Sequence, residues 1–253
     1  MQLVTFSEKG NYEPPTMPSS VPSEASIEET SAPSEHSEVS MEITPRGPYE
    51  EEAARLTTKF LGRLLPINYE GYQKLIDKGG VRVFGKTIES GFSMITEYKI
   101  PFDPEPFLSF LGSNEKRLKW DSSLAELRTI SEPAEHISLD YTVLKGFLTF
   151  SSRDLVLLST HGQHGDCLYE ANTSIELDEF PVGSHVRAQL FLGGTLCTPI
   201  DRDLEGNRAQ VAEITEISIG GTMSASVCLK MFANSVPKYV KTVCEAFSKE
   251  QVN

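Results

Sequence analysis

Asp140, His161, His164, Glu213 and Glu216 are the side chains with which this chain could hold a metal or move a proton, and their spacing decides against most of that chemistry. His161-Gly162-Gln163-His164 brings two imidazoles into one turn, but no further Cys, His, Asp or Glu stands at ligand spacing, so no metal site is expected. Glu213 and Glu216 lie three apart in a run that reads as a strand. Strand side chains alternate, so these carboxylates should face opposite sides and cannot share one substrate. We find no Gly-x-Ser-x-Gly elbow, no phosphate-cradling glycine loop and no Cys/His dyad. Cys167, Cys197, Cys228 and Cys244 form no Cys-x-x-Cys and read as reduced thiols. Asn172-Thr173-Ser174 is a formal glycosylation sequon that stays unused without a secretory route. Neither catalysis nor a cofactor is expected.

Composition narrows the partners. The net charge of −13 over 253 residues argues against nucleic acid, whose phosphates need a cationic surface. A local basic or apolar patch could still touch a membrane. No run approaches the roughly 20 apolar residues that span a bilayer, and the first ten residues show no signal peptide. Residues 1–48 are rich in Pro and Ser, hold eight Glu against Lys9 and Arg46, and show no hydrophobic period. Such a segment cannot bury enough apolar area to offset its ordering entropy and is expected to be a disordered acidic tail. Ser26-Ile27-Glu28-Glu29 and Ser34 to Glu38 have the form of acidic-flanked phosphoacceptor sites, or of plain solvating sequence.

The expected domain is 49–253. Leu56, Phe60 and Leu64 recur at helical spacing until Pro66. A short helix is expected over Tyr69–Asp77, closed by Gly79-Gly80, then strands at Val81–Phe84 and Phe92–Ile100. Asp103-Pro104-Glu105 opens a helix with Asp as its cap and Phe107, Leu108 and Leu111 as its apolar face. Strands follow at Ile137–Phe147, Arg153–Thr160, Leu168–Leu177, His185–Leu192 and Ala209–Ile219. A long helix from Thr222 to Lys249 closes the chain, with Val227, Met231, Val236, Tyr239, Val243 and Phe247 on one side and a kink or break at Pro237. This order is α+β, an antiparallel sheet gripping the last helix.

Four short motifs, in order, resemble the START family of lipid-transfer domains. Lys119-Trp120-Asp121 is similar to its tryptophan-aspartate motif, Ser152-Arg153-Asp154-Leu155-Val156 to its Arg-Asp-Phe-Val strand, and Val186-Arg187-Ala188 to the strand after its mouth loop. Ile217 to Gly221 resembles the approach to its last helix, with Ser218 and Ser224 replacing the family's Asp and Pro. The resemblance implies a helix-grip fold: a curved antiparallel sheet around the C-terminal helix, enclosing one sterol, phospholipid or ceramide-like lipid in a tunnel.

Alternation along Ile137–Phe147 puts Asp140, Thr142 and Leu144 on one face. With Leu157, Ser159 and Met231 they are the expected ligand contacts. The resemblance implies that sterol carriers pair the acid at the Asp140 position with an arginine on the next strand, where Ser159 stands here. A lone buried carboxylate is costly, so Asp140 should be neutral, meet another partner or face a polar headgroup, and sterol is not the default ligand. Phe180 and Val182, in the loop at the family's tunnel mouth, with Lys230, Lys238 and Lys241 on the last helix, are expected membrane contacts. Arg187 and Asp154 read as a structural ion pair. The expected protein is a non-catalytic cytoplasmic carrier, monomeric and peripheral at membranes. The alternatives are a cavity enzyme of the same fold and a lipid-occupancy sensor whose tail binds a protein partner.

Overall fold

The computed structural model describes residues 47–146 and 151–252; the expected tail, apart from its last two residues, and the expected strand end at Phe147 lie outside them. The first helix, α1 (Pro48–Leu64), buries Ala53, Leu56, Phe60 and Leu64, the stripe that the helical period foretells. Its first turn carries Glu50 and Glu51, and the Glu50 carboxylate accepts from the Gly47 amide at 2.6 Å.

The short helix expected over Tyr69–Asp77 is absent. A strand, β1 (Gln73–Lys78), takes its place and pairs antiparallel with β2 (Val81–Ile88). Gly79 (φ 61°) and Gly80 (φ 76°) are both left-handed, the pair of conformations that a two-residue hairpin turn needs. The glycines therefore close a hairpin rather than end a helix. Next come β3 (Gly91–Ile100), α2 (Pro104–Gly112) and α3 (Asn114–Trp120). Asp103 stands at the start of α2 but makes no side-chain cap; its carboxylate meets Arg208 at 2.7 Å instead.

One strand was not expected at all. β4 (Leu124–Ala134) holds Pro133 and shows little alternation because it is an edge strand, where proline is tolerated and one side of the backbone meets solvent. Then follow β5 (Ile137–Leu144), β6 (Arg153–His164), β7 (Cys167–Ser174), β8 (Val186–Arg187), β9 (Gln189–Pro199) and β10 (Ala209–Ser218). Two of these outrun expectation. β6 continues to His164, its turn falling at Gly165-Asp166, and β9 runs through Gly193-Gly194. At Gly194 (φ 148°) a Cβ would stand 2.3 Å from the Glu170 carbonyl oxygen and 2.7 Å from the Phe60 ring. The glycine is there so that α1 can lie close to the sheet.

The strands form one antiparallel sheet in the order β1-β2-β3-β10-β9-β7-β6-β5-β4, with β8 added parallel to β6. It is open, not closed into a barrel. Alternate residues feed two cores. Ile95, Leu158, Ala171 and Ile214 meet Phe60 and Leu64 of α1 on the outer face. Phe92, Tyr98, Leu155 and Val211 serve the inner face with Phe107 of α2 and residues of α4 (Ala225–Glu250). α4 crosses β1, β2 and β3, α2 lies over β7 and β9, and α3 lies against β4. This is the helix-grip arrangement. The last helix runs unbroken through Pro237 and buries Cys228, Leu229, Ala233, Val236, Val240, Val243 and Phe247. Val227 is 47% exposed, outside the stripe it was expected to join.

Candidate functional site

A cavity of ≈ 790 Å³ lies between α2–α3 and the inner face of β4, β5, β6 and β7. The even-numbered residues of β5 point inward and the odd-numbered residues of β6 oppose them, so Asp140, Thr142, Leu157 and Ser159 all reach its wall. Leu144 and Met231 do not line it: Leu144 joins the apolar core at the far end of β5, and Met231 is half-buried on α4.

Asp140 is buried and held by neutral donors. Thr129 Oγ1 (2.9 Å) and Asn114 Nδ2 (3.1 Å) donate to its Oδ1, and Ser138 Oγ (2.6 Å) donates to its Oδ2. The carboxylate thus finds its partners inside the protein, on α3, β4 and its own strand. Its cross-strand neighbour on β6 is Leu157, while Ser159 opposes Ser138.

Two charged groups on this wall, Arg117 and Glu170, escaped the sequence reading. Arg117 of α3 sits within the fold yet keeps 38% of its side chain accessible, because it faces the cavity. It stands 3.5 Å from Asp121, and its Nε is buried with no hydrogen-bond partner among the described residues. Across the cavity, burial pushes the Glu170 carboxyl above the usual carboxylate range, while the charge of Arg117 and a hydrogen bond with Asn172 pull the other way. On the inner face of β10, away from the cavity wall, burial pushes Glu213 up to about 7, opposed by the hydroxyl of Tyr98, which donates at 2.7 Å, and by Arg117. Burial also raises the phenols of Tyr98 and Tyr239, so both stay protonated donors. The signal for Glu170 and Glu213 was period two, which puts each on the inner face of its strand. Arg117 gave none, since a lysine-rich helix with an acid four residues on reads as surface.

Glu216, three residues after Glu213, does lie on the opposite face. It accepts from Ser93 Oγ at 3.0 Å and meets Arg63 of α1 at 2.7 Å. The mouth loop is also anchored on the outer face. Arg187 makes a bidentate pair with Asp154 (3.0 and 3.0 Å) and donates to the Phe180 carbonyl at 3.1 Å. The Phe180 ring lies 5.4 Å from that of Tyr141, with Arg128 over it at 5.2 Å, so Phe180 is engaged with the sheet here while Val182 is 69% exposed. Lys230 and Lys238 are exposed on α4, and Lys241 lies 3.8 Å from Glu245. The four cysteines are unpaired.

The START domain family matches residues 74–251. Human StAR-related lipid transfer protein 5 superposes with a TM-score of 0.70 at 17% identity, covering 79% of this chain and 99% of its own. Human STARD10 gives 0.66 at 18% identity, covering 81% of each chain. The human StarD13 lipid transfer and protein localization domain gives 0.61 at 17% identity, covering 74% of this chain and 96% of its own. At such identities the likeness is one of fold. No curated protein sequence matches the chain.

Proposed function

The chain belongs to the START domain family, and from that premise we propose that it holds one lipid molecule in the cavity and carries it between membranes without altering it. The observation that carries this reading is a ≈ 790 Å³ cavity whose wall sets an apolar strip, Leu108, Leu127, Ile137, Leu157 and Leu168, among a majority of polar side chains. That size falls in the roughly 300–1,000 Å³ range of small-molecule sites. Transfer needs such a wall, because each methylene removed from water is worth about 0.8 kcal/mol and a lipid cannot cross water unaided at a useful rate. The relatives named above as lipid transfer proteins support the same reading.

The ligand we infer is a polar-headed lipid, ceramide-like or phospholipid, in preference to sterol. A single hydroxyl could not satisfy both Arg117 and Glu170, which face the cavity together. The protein would work as a cytoplasmic monomer, touching membranes through Val182, Lys230 and Lys238 while its acidic tail is free to engage a protein. Among the described residues, no helix is long and apolar enough to cross a membrane. One observation favours a second reading, chemistry inside the cavity: Arg117 and Glu170 are titratable groups on one wall, and the charge of Arg117 acts on Glu170.

Native mass spectrometry of the purified chain after incubation with mixed liposomes separates these readings. The carrier reading expects a one-to-one adduct whose lipid is extracted with unchanged mass and passes to acceptor liposomes. An extracted lipid of altered mass moves the enzyme reading ahead. A protein that takes up no lipid defeats both.

A further inference from the structure

The sequence pairs His161 with His164, but these lie three apart on β6 and so on opposite faces of the strand. The fold gives His161 a different partner. His136 sits in the two-residue turn Glu135-His136 that joins β4 to β5, and its carbonyl accepts from the His161 amide at 3.2 Å, which fixes the two backbones side by side. His136 Nδ1 then stands 3.3 Å from His161 Nε2, with ring centroids 5.0 Å apart and planes at 83°.

From this juxtaposition we propose that His136 and His161 form a binding site for a divalent transition-metal ion, Zn²⁺ or Cu²⁺, at the rim of the cavity. Two imidazole nitrogens each about 2.0–2.1 Å from a tetrahedral zinc ion stand roughly 3.3–3.4 Å apart. The observed separation matches that span, and it is longer than the roughly 2.9–3.0 Å usual for a hydrogen bond from N–H. Imidazole suits zinc, copper and nickel, and copper binds such sites most tightly of the three.

The surroundings suit a cation. Glu132 and Glu135 line the same stretch of rim and bring two carboxylates to it. Among the described residues no third His, Cys, Asp or Glu completes a cluster, so the affinity is that of a two-imidazole site and modest. A bound ion ties the β4–β5 turn to β6 across the cavity rim. The site uses none of the groups assigned to the lipid, so its fate is independent of the carrier reading.

The test is isothermal titration of the full chain, kept reduced, with zinc chloride, beside the variants His136→Gln, His161→Gln and His164→Gln. One ion per chain should bind. Each of the first two variants should weaken binding about ten-fold or more, and His164→Gln should leave it unchanged. The melting temperature should rise with zinc in the unaltered protein and not in His161→Gln. Electron paramagnetic resonance of the unaltered protein with one equivalent of Cu²⁺ should show coupling to two imidazole nitrogens, a readout independent of how the variants fold. Absence of saturable binding, affinity unchanged in His136→Gln and His161→Gln, or a copper spectrum with fewer than two nitrogens would each overturn the site.

Discussion

Glu213 makes stability depend on pH in a direction opposite to that of most carboxylates. Burial lifts its carboxyl from 4.5 to about 7, because the inner face of β10 offers too little water to solvate the charge. The folded protein therefore holds this proton between pH 4.5 and about 7 while the unfolded chain has released it. Stability falls with pH wherever the folded state binds more protons. The contribution is complete below pH 4.5, declines across that window and is gone above about 7. At about 1.4 kcal/mol per pH unit, the shift amounts to roughly 3–4 kcal/mol at most, and partial access of water to the carboxyl would reduce it. Glu213→Gln keeps an oxygen to accept from Tyr98 and removes the titration. Urea unfolding of both proteins at several pH values cancels every group they share. The variant should gain on the parent as pH rises from 4.5 to 8, by an amount approaching roughly 3–4 kcal/mol. A difference that stays flat across this range would refute the claim that Glu213 is buried as a neutral acid.

Phe247 anchors α4 to α2, with its ring 4.8, 5.5 and 5.3 Å from Phe102, Phe107 and Phe110. Phe247→Ala should cost about 3–5 kcal/mol, and at roughly 2–4 °C per kcal/mol calorimetry should show melting lowered by about 6–20 °C. Gly194→Ala places a Cβ against the Glu170 carbonyl and the Phe60 ring, so α1 must lift; the expected result is a loss of several kcal/mol and early hydrogen exchange in Pro48–Leu64, and an unchanged melting curve would contradict it. Asp154→Asn removes the buried partner of Arg187, which also holds the Phe180 and Pro181 carbonyls. It should cost about 3 kcal/mol and speed proteolytic cleavage between 178 and 183, and equal cleavage rates would show that the pair does not tether the loop.

Much of the frame could be read from the chain because its signals are local. The 3.6-residue period of Leu56, Phe60 and Leu64 needs nothing beyond its own helix, and the period of two along Ile137–Leu144 fixes which residues share a face with Asp140. The same rule placed Glu213 and Glu216 on opposite sides of β10. Motif order was legible for a related reason: each motif is a few contiguous residues. Local signals failed where a neighbour decides. Gly79-Gly80 can end a helix or turn a hairpin, and pairing with β2 selected the hairpin. Gly193-Gly194 looks like a stop until Phe60 arrives above it, and β4 has too little burial to show a period.

The site divides along the same line. The sequence determined that Asp140 faces inward with no arginine on the next strand at the expected place. Tertiary structure alone decided that Asn114, Thr129 and Ser138 satisfy it, that Arg117 and Glu170 face one cavity, and that His136, not His164, meets His161. Periodicity within a segment tells which way a side chain points. What it points at comes from strands and helices up to tens of residues away, brought there by the pairing order of the sheet.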